Sequence, residues 1–161
     1  MIKKLGLLFL LAIPFLLVRS DEPALQGFVH WPAASLSSMS QSLAAEAATN
    51  PGRPAIRQLA SFPNEYFLLA HREADGQPEL HETEADVFVV RSGTATLLVG
   101  GTLVNGETVS PHEKRNGTIQ GGIRQKLASG DAVRIPPGMP HQLLLDGAHE
   151  FTYFVVKVKG Y

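Results

Sequence analysis

His141 is the residue of this chain whose surroundings most favour chemistry. It follows a corner rich in proline, Pro136-Pro137-Gly138-Met139-Pro140, and opens an apolar segment that predicts a strand. The prolines fix their own φ angles and lack backbone donors, and Gly138 can adopt positive φ, so the corner is stiff. A side chain placed just after a stiff turn is already ordered before it binds anything. We therefore expect His141 to be a metal ligand or a catalytic group.

The spacing that leads to His141 resembles a known motif. Residues 130–141 read G-x5-P-x-G-x2-H, which is similar to the second signature of the cupin superfamily of small β-barrels. The chain departs from the family pattern at Leu145, where the family often has Asn. The resemblance covers roughly residues 56–158. It implies an all-β fold, a cupin-type double-stranded β-helix or jelly-roll barrel, here with a short N-terminal helix.

A second stretch resembles the other cupin signature, which is usually G-x5-H-x-H-x3–4-E-x6-G. Counting back from Gly93 places Asp86 at the acidic position and His81 at the second histidine. Glu79 then stands where the family has its first histidine. The resemblance implies that Glu79 and His81 face the barrel interior together, because strand residues two apart share a face. His141 would approach them from the second motif.

The resemblance thus implies a metal site made of Glu79, His81, Asp86 and His141. Two imidazoles and two carboxylates suit a divalent transition metal such as Fe(II), Mn(II), Zn(II) or Ni(II). Glu79 would be a fourth ligand or a general base. The chain has no cysteine, so thiolate ligands and disulfides are excluded.

These residues also have simpler interpretations. His141 could bond the backbone of the proline corner, and Asp86 could accept from turn amides. Glu79 could be an ordinary surface carboxylate, and Glu82 or Glu84 could replace it if the strand register is one residue off. The remaining histidines fall in the leader, at a strand end or in loops, and we expect them to be solvated: His30, His71, His112 and His149.

The N terminus has the pattern of an export signal. Lys3 and Lys4 precede an uncharged apolar run from Leu5 to Val18, and a small residue, Ser20, follows. The run is shorter than the ~20 residues needed to cross a bilayer. We expect residues 1–20 to be a signal peptide and the product to be periplasmic or secreted; an uncleaved anchor is the alternative.

The charge balance excludes one class of partner. Cleavage would remove Lys3, Lys4 and Arg19, so 11 of the 14 basic residues would remain beside 15 acidic ones, a net charge of −4 with histidines neutral. Nucleic-acid binding depends on clustered Lys and Arg. We therefore expect no nucleic-acid partner, and no membrane contact after cleavage.

The remaining chain predicts one domain behind a short leader. Residues 21–55 contain a helix, with Ser35 as its N-cap and apolar residues at helical spacing: Leu36, Met39, Leu43, Ala44 and Ala47. Residues 56–161 alternate short apolar runs with Gly, Pro and Asn turns, which indicates a single barrel. Within it, Ser92-Gly93 predicts a tight hairpin, and residues 109–117 predict a surface loop.

Two functions fit these features. The first is a metal-dependent enzyme acting on a small molecule. The second is a non-catalytic barrel that binds a sugar or a small acid in a pocket lined by Phe88, Val90, Leu143 and Leu145. The family resemblance also implies a homodimer, formed through the N-terminal helix or an exposed strand edge.

Overall fold

The computed structural model describes residues 25–50 and 52–161, so the expected signal peptide lies outside the described residues. The elements in these ranges are α1 (Ala33–Thr49), β1 (Ala55–Ser61), β2 (Glu65–Arg72), β3 (Glu79–His81), β4 (Glu84–Val99), β5 (Thr102–Val104), β6 (Glu107–Ser110), β7 (Glu113–Arg115), β8 (Thr118–Gln120), β9 (Ile123–Ala128), β10 (Ala132–Ile135), β11 (His141–Leu144) and β12 (Phe151–Lys159). Within the described ranges, no helix combines the length and apolar character needed to span a bilayer.

The strands form two antiparallel sheets that share the long strand β4. Its first half pairs with β10 and β12, and the first sheet continues through β2 to β1. Its second half pairs with β9 and β11, and the second sheet continues through β3 and β7 to β6. Strands β5 and β8 form a separate ribbon. The predicted all-β jelly-roll barrel with a short N-terminal helix is confirmed.

Two apolar clusters hold this arrangement together. The larger one fills the space between the sheets and includes Phe88, Leu97, Phe151 and Val155. The smaller one seals α1 against the outer face of β1 and β2, where Leu43 is fully buried. Burial of one such leucine side chain contributes about 1.5–3 kcal/mol. The helix therefore covers the outer face of the first sheet.

Gly93 does not form the predicted hairpin. Strand β4 continues through Gly93 without reversing direction. It bends there, at a Gly93 φ of +77°, and the bend leads from the first sheet to the second. A Cβ here would overlap the carbonyl of Glu150, because the start of β12 passes directly over this position. The Ser-Gly pair thus supplies a close approach between backbones rather than a reversal.

Two further local predictions are wrong. The helix begins at Ala33, with Pro32 as its N-cap, because the Pro32 carbonyl accepts from the amide of Leu36 and so starts the helical ladder before Ser35. Residues 109–117 are not a loop: β6 and β7 pair with each other across a tight turn at His112, whose φ is +64°. That hairpin extends the second sheet beside β3.

Candidate metal centre

His141 is held at the first position of β11 by the proline corner. Its Nδ1 lies 3.1 Å from the carbonyl oxygen of Met139, which can accept only if Nδ1 carries the proton. The lone pair then resides on Nε2, a buried atom without a hydrogen-bond partner among the described residues. An imidazole fixed in this tautomer presents Nε2 as a ligand.

The same corner also positions His81. The amide of Gly138 donates to the carbonyl oxygen of His81 at 2.7 Å, and β3 is paired on both sides, with β7 and with β11. Glu79 and His81 lie two residues apart on β3 and share a face, with Glu79 Oε2 3.4 Å from His81 Nε2. Glu79, His81 and His141 bring one ligand atom each within 4.8 Å of one another.

Asp86 adjoins this group but is paired with a lysine. Its Oδ2 lies 3.4 Å from His141 Nε2 and 3.7 Å from His81 Nε2. Lys157 lies opposite it on β12 and donates a hydrogen bond to Oδ2 at 2.8 Å. The ammonium is also 2.7 Å from Oδ1, an ion-pair contact without hydrogen-bond geometry. The structure thus brings all four predicted site residues into one cluster.

Lys157 itself was not predicted from the sequence. Its Nζ donates a 2.7 Å hydrogen bond to His81 Nε2, and the residue is only 8% exposed. A signal was present, since the inward-facing residues of β12 alternate as Phe151, Tyr153, Val155 and Lys157. A lysine that continues an inward apolar row must bury its ammonium, and a buried ammonium needs acceptors. Here His81 and Asp86 are those acceptors.

Both acidic residues of the cluster are held in their anionic form. Burial alone would raise the pKa of Glu79, but the close contact with His81 and the charges of Arg115 and Lys157 lower it to about 2. Burial would also raise the pKa of Asp86, and the charge of Lys157 holds it below its ordinary value of 3.8. A carboxylate with a pKa near 2 is a weak base at neutral pH. Glu79 therefore suits the role of ligand better than that of general base.

The metal-free protein is expected to lose stability as the pH falls from about 4.5 to about 2. Glu79 titrates near 2 in the folded protein against an ordinary value of 4.5. Its anion therefore stabilises the fold above the higher value, and that contribution disappears as the pH falls through the lower one. Urea unfolding across this range measures the effect. Glu79→Gln should flatten the dependence of stability on pH, whereas the control Glu46→Gln, on the exposed side of α1, should leave it unchanged. The same dependence in the wild type and in both variants would contradict the prediction.

An inner cavity of about 100 Å³ opens beside the cluster. Its lining includes Phe88 and Leu143, as predicted, whereas Val90 and Leu145 lie in the hydrophobic core and do not line it. Sequence reasoning missed the other polar groups that reach the cavity: Arg72, Gln77, Arg115, Gln142 and Tyr153. A small molecule in this cavity would thus meet His141 and Asp86, and also Glu79 with the guanidinium groups of Arg72 and Arg115 beside it.

The two carboxylates considered as substitutes for Glu79 lie outside the cluster. Glu82 is exposed and faces His112 Nδ1 at 3.3 Å. Glu84 accepts a 3.0 Å hydrogen bond from the hydroxyl of Tyr66. The register that places Glu79 inside the barrel is therefore the one that the chain adopts.

His71 differs from its predicted environment, whereas the other three outlying histidines do not. His30, His112 and His149 are exposed, as expected. His71 is 1% exposed, and its Nδ1 lies 2.8 Å from Thr152 Oγ1. Strand β2 lies between β1 and β12 and α1 packs against it, so a residue near its end is still covered. The prediction that His71 is solvated is wrong.

Comparison with known proteins supports the fold. No family model and no curated protein match the chain. An uncharacterised conserved protein with a double-stranded β-helix domain from Klebsiella pneumoniae subsp. pneumoniae MGH 78578 is similar in structure, with a TM-score of 0.51 and 20% identity over 69% of this chain and 76% of that one. The cupin domain of Cnp3 from Schizosaccharomyces pombe has a TM-score of 0.51 and 9% identity over 66% and 65% of the two chains.

An enzyme is among the similar structures. The DMSP lyase DddQ from Ruegeria pomeroyi DSS-3 has a TM-score of 0.50 and 18% identity, over 70% of this chain and 50% of the lyase. At such low identities the structural similarity shows the fold alone, and function has to be argued from the residues of the site.

Proposed function

This chain has the cupin fold, and on that premise we propose that it binds a divalent transition metal through His81, His141 and Glu79, with Asp86 beside them, and a small molecule in the adjoining cavity. The observation that carries the proposal is the meeting of three ligand atoms within 4.8 Å of one another, from β3 and β11. These atoms belong to two short strands that the proline corner ties together. The geometry is thus built into the fold.

The donor set suits such a metal on chemical grounds. His141 offers a buried Nε2 lone pair that no other described residue uses, and its Nδ1 is fixed by a carbonyl, as is usual for metal-binding histidines. Glu79 supplies an anionic oxygen. Mixed imidazole and carboxylate ligands are typical of Fe(II), Mn(II), Zn(II) and Ni(II) sites. A metal bound there would supply Lewis acidity toward an oxygen of the small molecule.

Calorimetric titration tests this proposal. The protein is stripped of metal with a chelator and titrated with Mn(II), Fe(II), Ni(II) and Zn(II) in separate anaerobic runs. We expect binding of one equivalent per chain by at least one of these ions. A protein that stays folded after stripping and takes up none of the four would refute the proposal.

Lys157 supports a second candidate function. Its ammonium already occupies acceptors that a metal would use, His81 Nε2 and the carboxylate of Asp86. A lysine in that position could replace the metal permanently, which would make the protein a metal-free barrel that binds a sugar or a small acid. The two functions predict different metal affinities for a variant that lacks the lysine.

Lys157→Met is expected to destabilise the metal-stripped protein by about 3–5 kcal/mol, because Asp86 is then a buried carboxylate without its partner. If the wild type binds metal by displacing the ammonium, the variant should bind the same metal about tenfold more tightly or better, since the competitor is gone. Isothermal titration and urea unfolding measure the two effects.

The control for that experiment is Lys126→Met, on the exposed face of β9, which should change neither quantity. Metal uptake by Lys157→Met together with none by the wild type would favour the metal-free barrel. Equal affinities in both proteins would show that Lys157 does not compete for the site.

A further inference from the structure

Arg72 carries a guanidinium with unused donors inside the barrel. The residue is 8% exposed, and its Nε donates a 2.9 Å hydrogen bond to the hydroxyl of Tyr153. Among the described residues, its terminal nitrogens donate no hydrogen bond, and the nearest carboxylate oxygen, on Glu79, is 3.7 Å from Nη2. These nitrogens are not among the fully buried atoms without a partner, and Arg72 lines two openings of the barrel, so they are accessible from the cavity. The terminal nitrogens of Arg72 therefore lack a hydrogen-bond acceptor within the described part of the chain.

These nitrogens lie where a ligand would enter. The inner cavity adjoins an outer recess of about 300 Å³, and both are lined by Arg72 and by four further residues: Pro54, Gln77, Glu79 and Arg115. A molecule that passes from the recess to the inner cavity would therefore meet the side chain of Arg72, together with those of Gln77 and Arg115. Ile56, Leu68 and Leu143 form the apolar part of the inner wall.

Gly76 fixes the position of this guanidinium. A Cβ at Gly76 would lie 3.0 Å from Arg72 Nη1 and 3.3 Å from its Cζ, so the missing side chain makes room for the planar group. The Gly76 backbone is itself held, because its amide donates to Leu143 O at 2.7 Å and its carbonyl accepts from Gln142 Nε2 at 2.8 Å. Arg72 is thus packed between a fixed loop and Tyr153, with its outer edge toward the cavity.

The charge of the cluster favours an anion once a metal is present. Arginine and lysine side chains are balanced by carboxylates in this region: Arg72, Arg115 and Lys157 against Glu79, Asp86 and Glu113. A divalent cation adds two positive charges to this balance, and a monoanionic ligand reduces them.

We infer that the small molecule bound here is a carboxylic acid, whose carboxylate accepts hydrogen bonds from Nη1 and Nη2 of Arg72 and whose other end extends toward His141. A guanidinium presents two parallel donors that match the two oxygens of a carboxylate. This inference rests on the proposed metal-binding function for its charge argument. The unused donors of Arg72 at the cavity wall support it independently.

Paired probes test the inference. Butanoate and butanamide have nearly the same shape and differ in charge, and each is titrated into the Zn(II)-loaded and the metal-stripped protein while the Arg72 Nε–H resonance is followed by NMR. We expect the Zn(II)-loaded protein to bind butanoate at least about tenfold more tightly than butanamide. Equal affinities of the acid and the amide would overturn the inference.

Variants locate the effect. Arg72→Gln should weaken butanoate about tenfold to a hundredfold, while butanamide and Zn(II) affinities should change by about threefold at most. Arg91→Gln, on the exposed side of β4, is the matched control and should change nothing. If Arg72→Gln does not fold, Gly76→Ala keeps the charge but displaces the guanidinium, and should weaken butanoate about threefold or more. Unchanged butanoate binding in a folded Arg72→Gln protein would also overturn the inference.

The outcomes separate this inference from the metal proposal. If the protein takes up no metal but still prefers butanoate over butanamide, the inference of acid recognition holds and the metal proposal is wrong. If the protein binds Zn(II) but shows no preference for the acid, the metal proposal holds and the inference of acid recognition is wrong.

Discussion

His141→Ala is expected to lower the affinity for the transition metal by about a hundredfold or more. Partners that merely support a metal-binding histidine are already worth about 10–100-fold in affinity, and His141 offers the ligand atom itself. Its Nε2 is buried, lies 3.4 Å from Asp86 Oδ2 and has no hydrogen-bond partner among the described residues. Calorimetric titration of the stripped variant with the ion that the wild type prefers measures the loss.

The matched control is His149→Ala, which removes an exposed histidine from the loop before β12 and should leave affinity and stoichiometry unchanged. Circular dichroism and urea unfolding establish that both variants are folded. Should His141→Ala retain wild-type affinity, His141 is a structural residue that only bonds the proline corner, as its simpler interpretation holds.

Gly93→Ala is expected to destabilise the protein by roughly 2–5 kcal/mol. The positive φ of +77° costs a residue with a Cβ about 1–2 kcal/mol. The new methyl group would also overlap the Glu150 carbonyl and approach Phe151 Cα to 3.1 Å, and forcing extra atoms into a packed site typically costs about 1–3 kcal/mol. The midpoint and slope of urea unfolding give the loss.

Gly138→Ala separates the two causes. Gly138 has nearly the same φ, +73°, but a Cβ there would meet no atom within 4 Å. Its substitution should therefore cost only the backbone part, about 1–2 kcal/mol. If both variants lose the same stability, the close approach of Glu150 contributes nothing and the bend of β4 is not limited by that contact.

The sequence motifs predicted the barrel and its corner because both depend on local chemistry. Proline and glycine act through their own φ angles, so the stiff turn before His141 could be inferred from neighbouring residues alone. The bend at Gly93 could not be inferred in this way. A Ser-Gly pair that forms a hairpin turn and a Ser-Gly pair that makes room for a neighbouring strand have the same local sequence. Only the distant Glu150 distinguishes them.

The site shows the same division. Alternation along a strand put Glu79 and His81 on one face, and the cupin resemblance implied that His141 would approach them. Lys157 and Arg72 reach the cluster through pairings of β12 with β4 and with β2, which join residues more than 70 positions apart in sequence. Which residues meet across such separations depends on the register between the paired strands. That register cannot be predicted from the sequence of either strand alone. The buried position of His71 was missed for the same reason.

The most direct test of the proposed metal centre is anomalous diffraction from crystals of the wild-type protein grown with the preferred ion. We expect one anomalous peak per chain, within coordination distance of Glu79 Oε2, His81 Nε2 and His141 Nε2, with the ammonium of Lys157 moved away from His81. Density for Lys157 still bonded to His81 and Asp86, with no anomalous peak between the two histidines, would contradict the proposal.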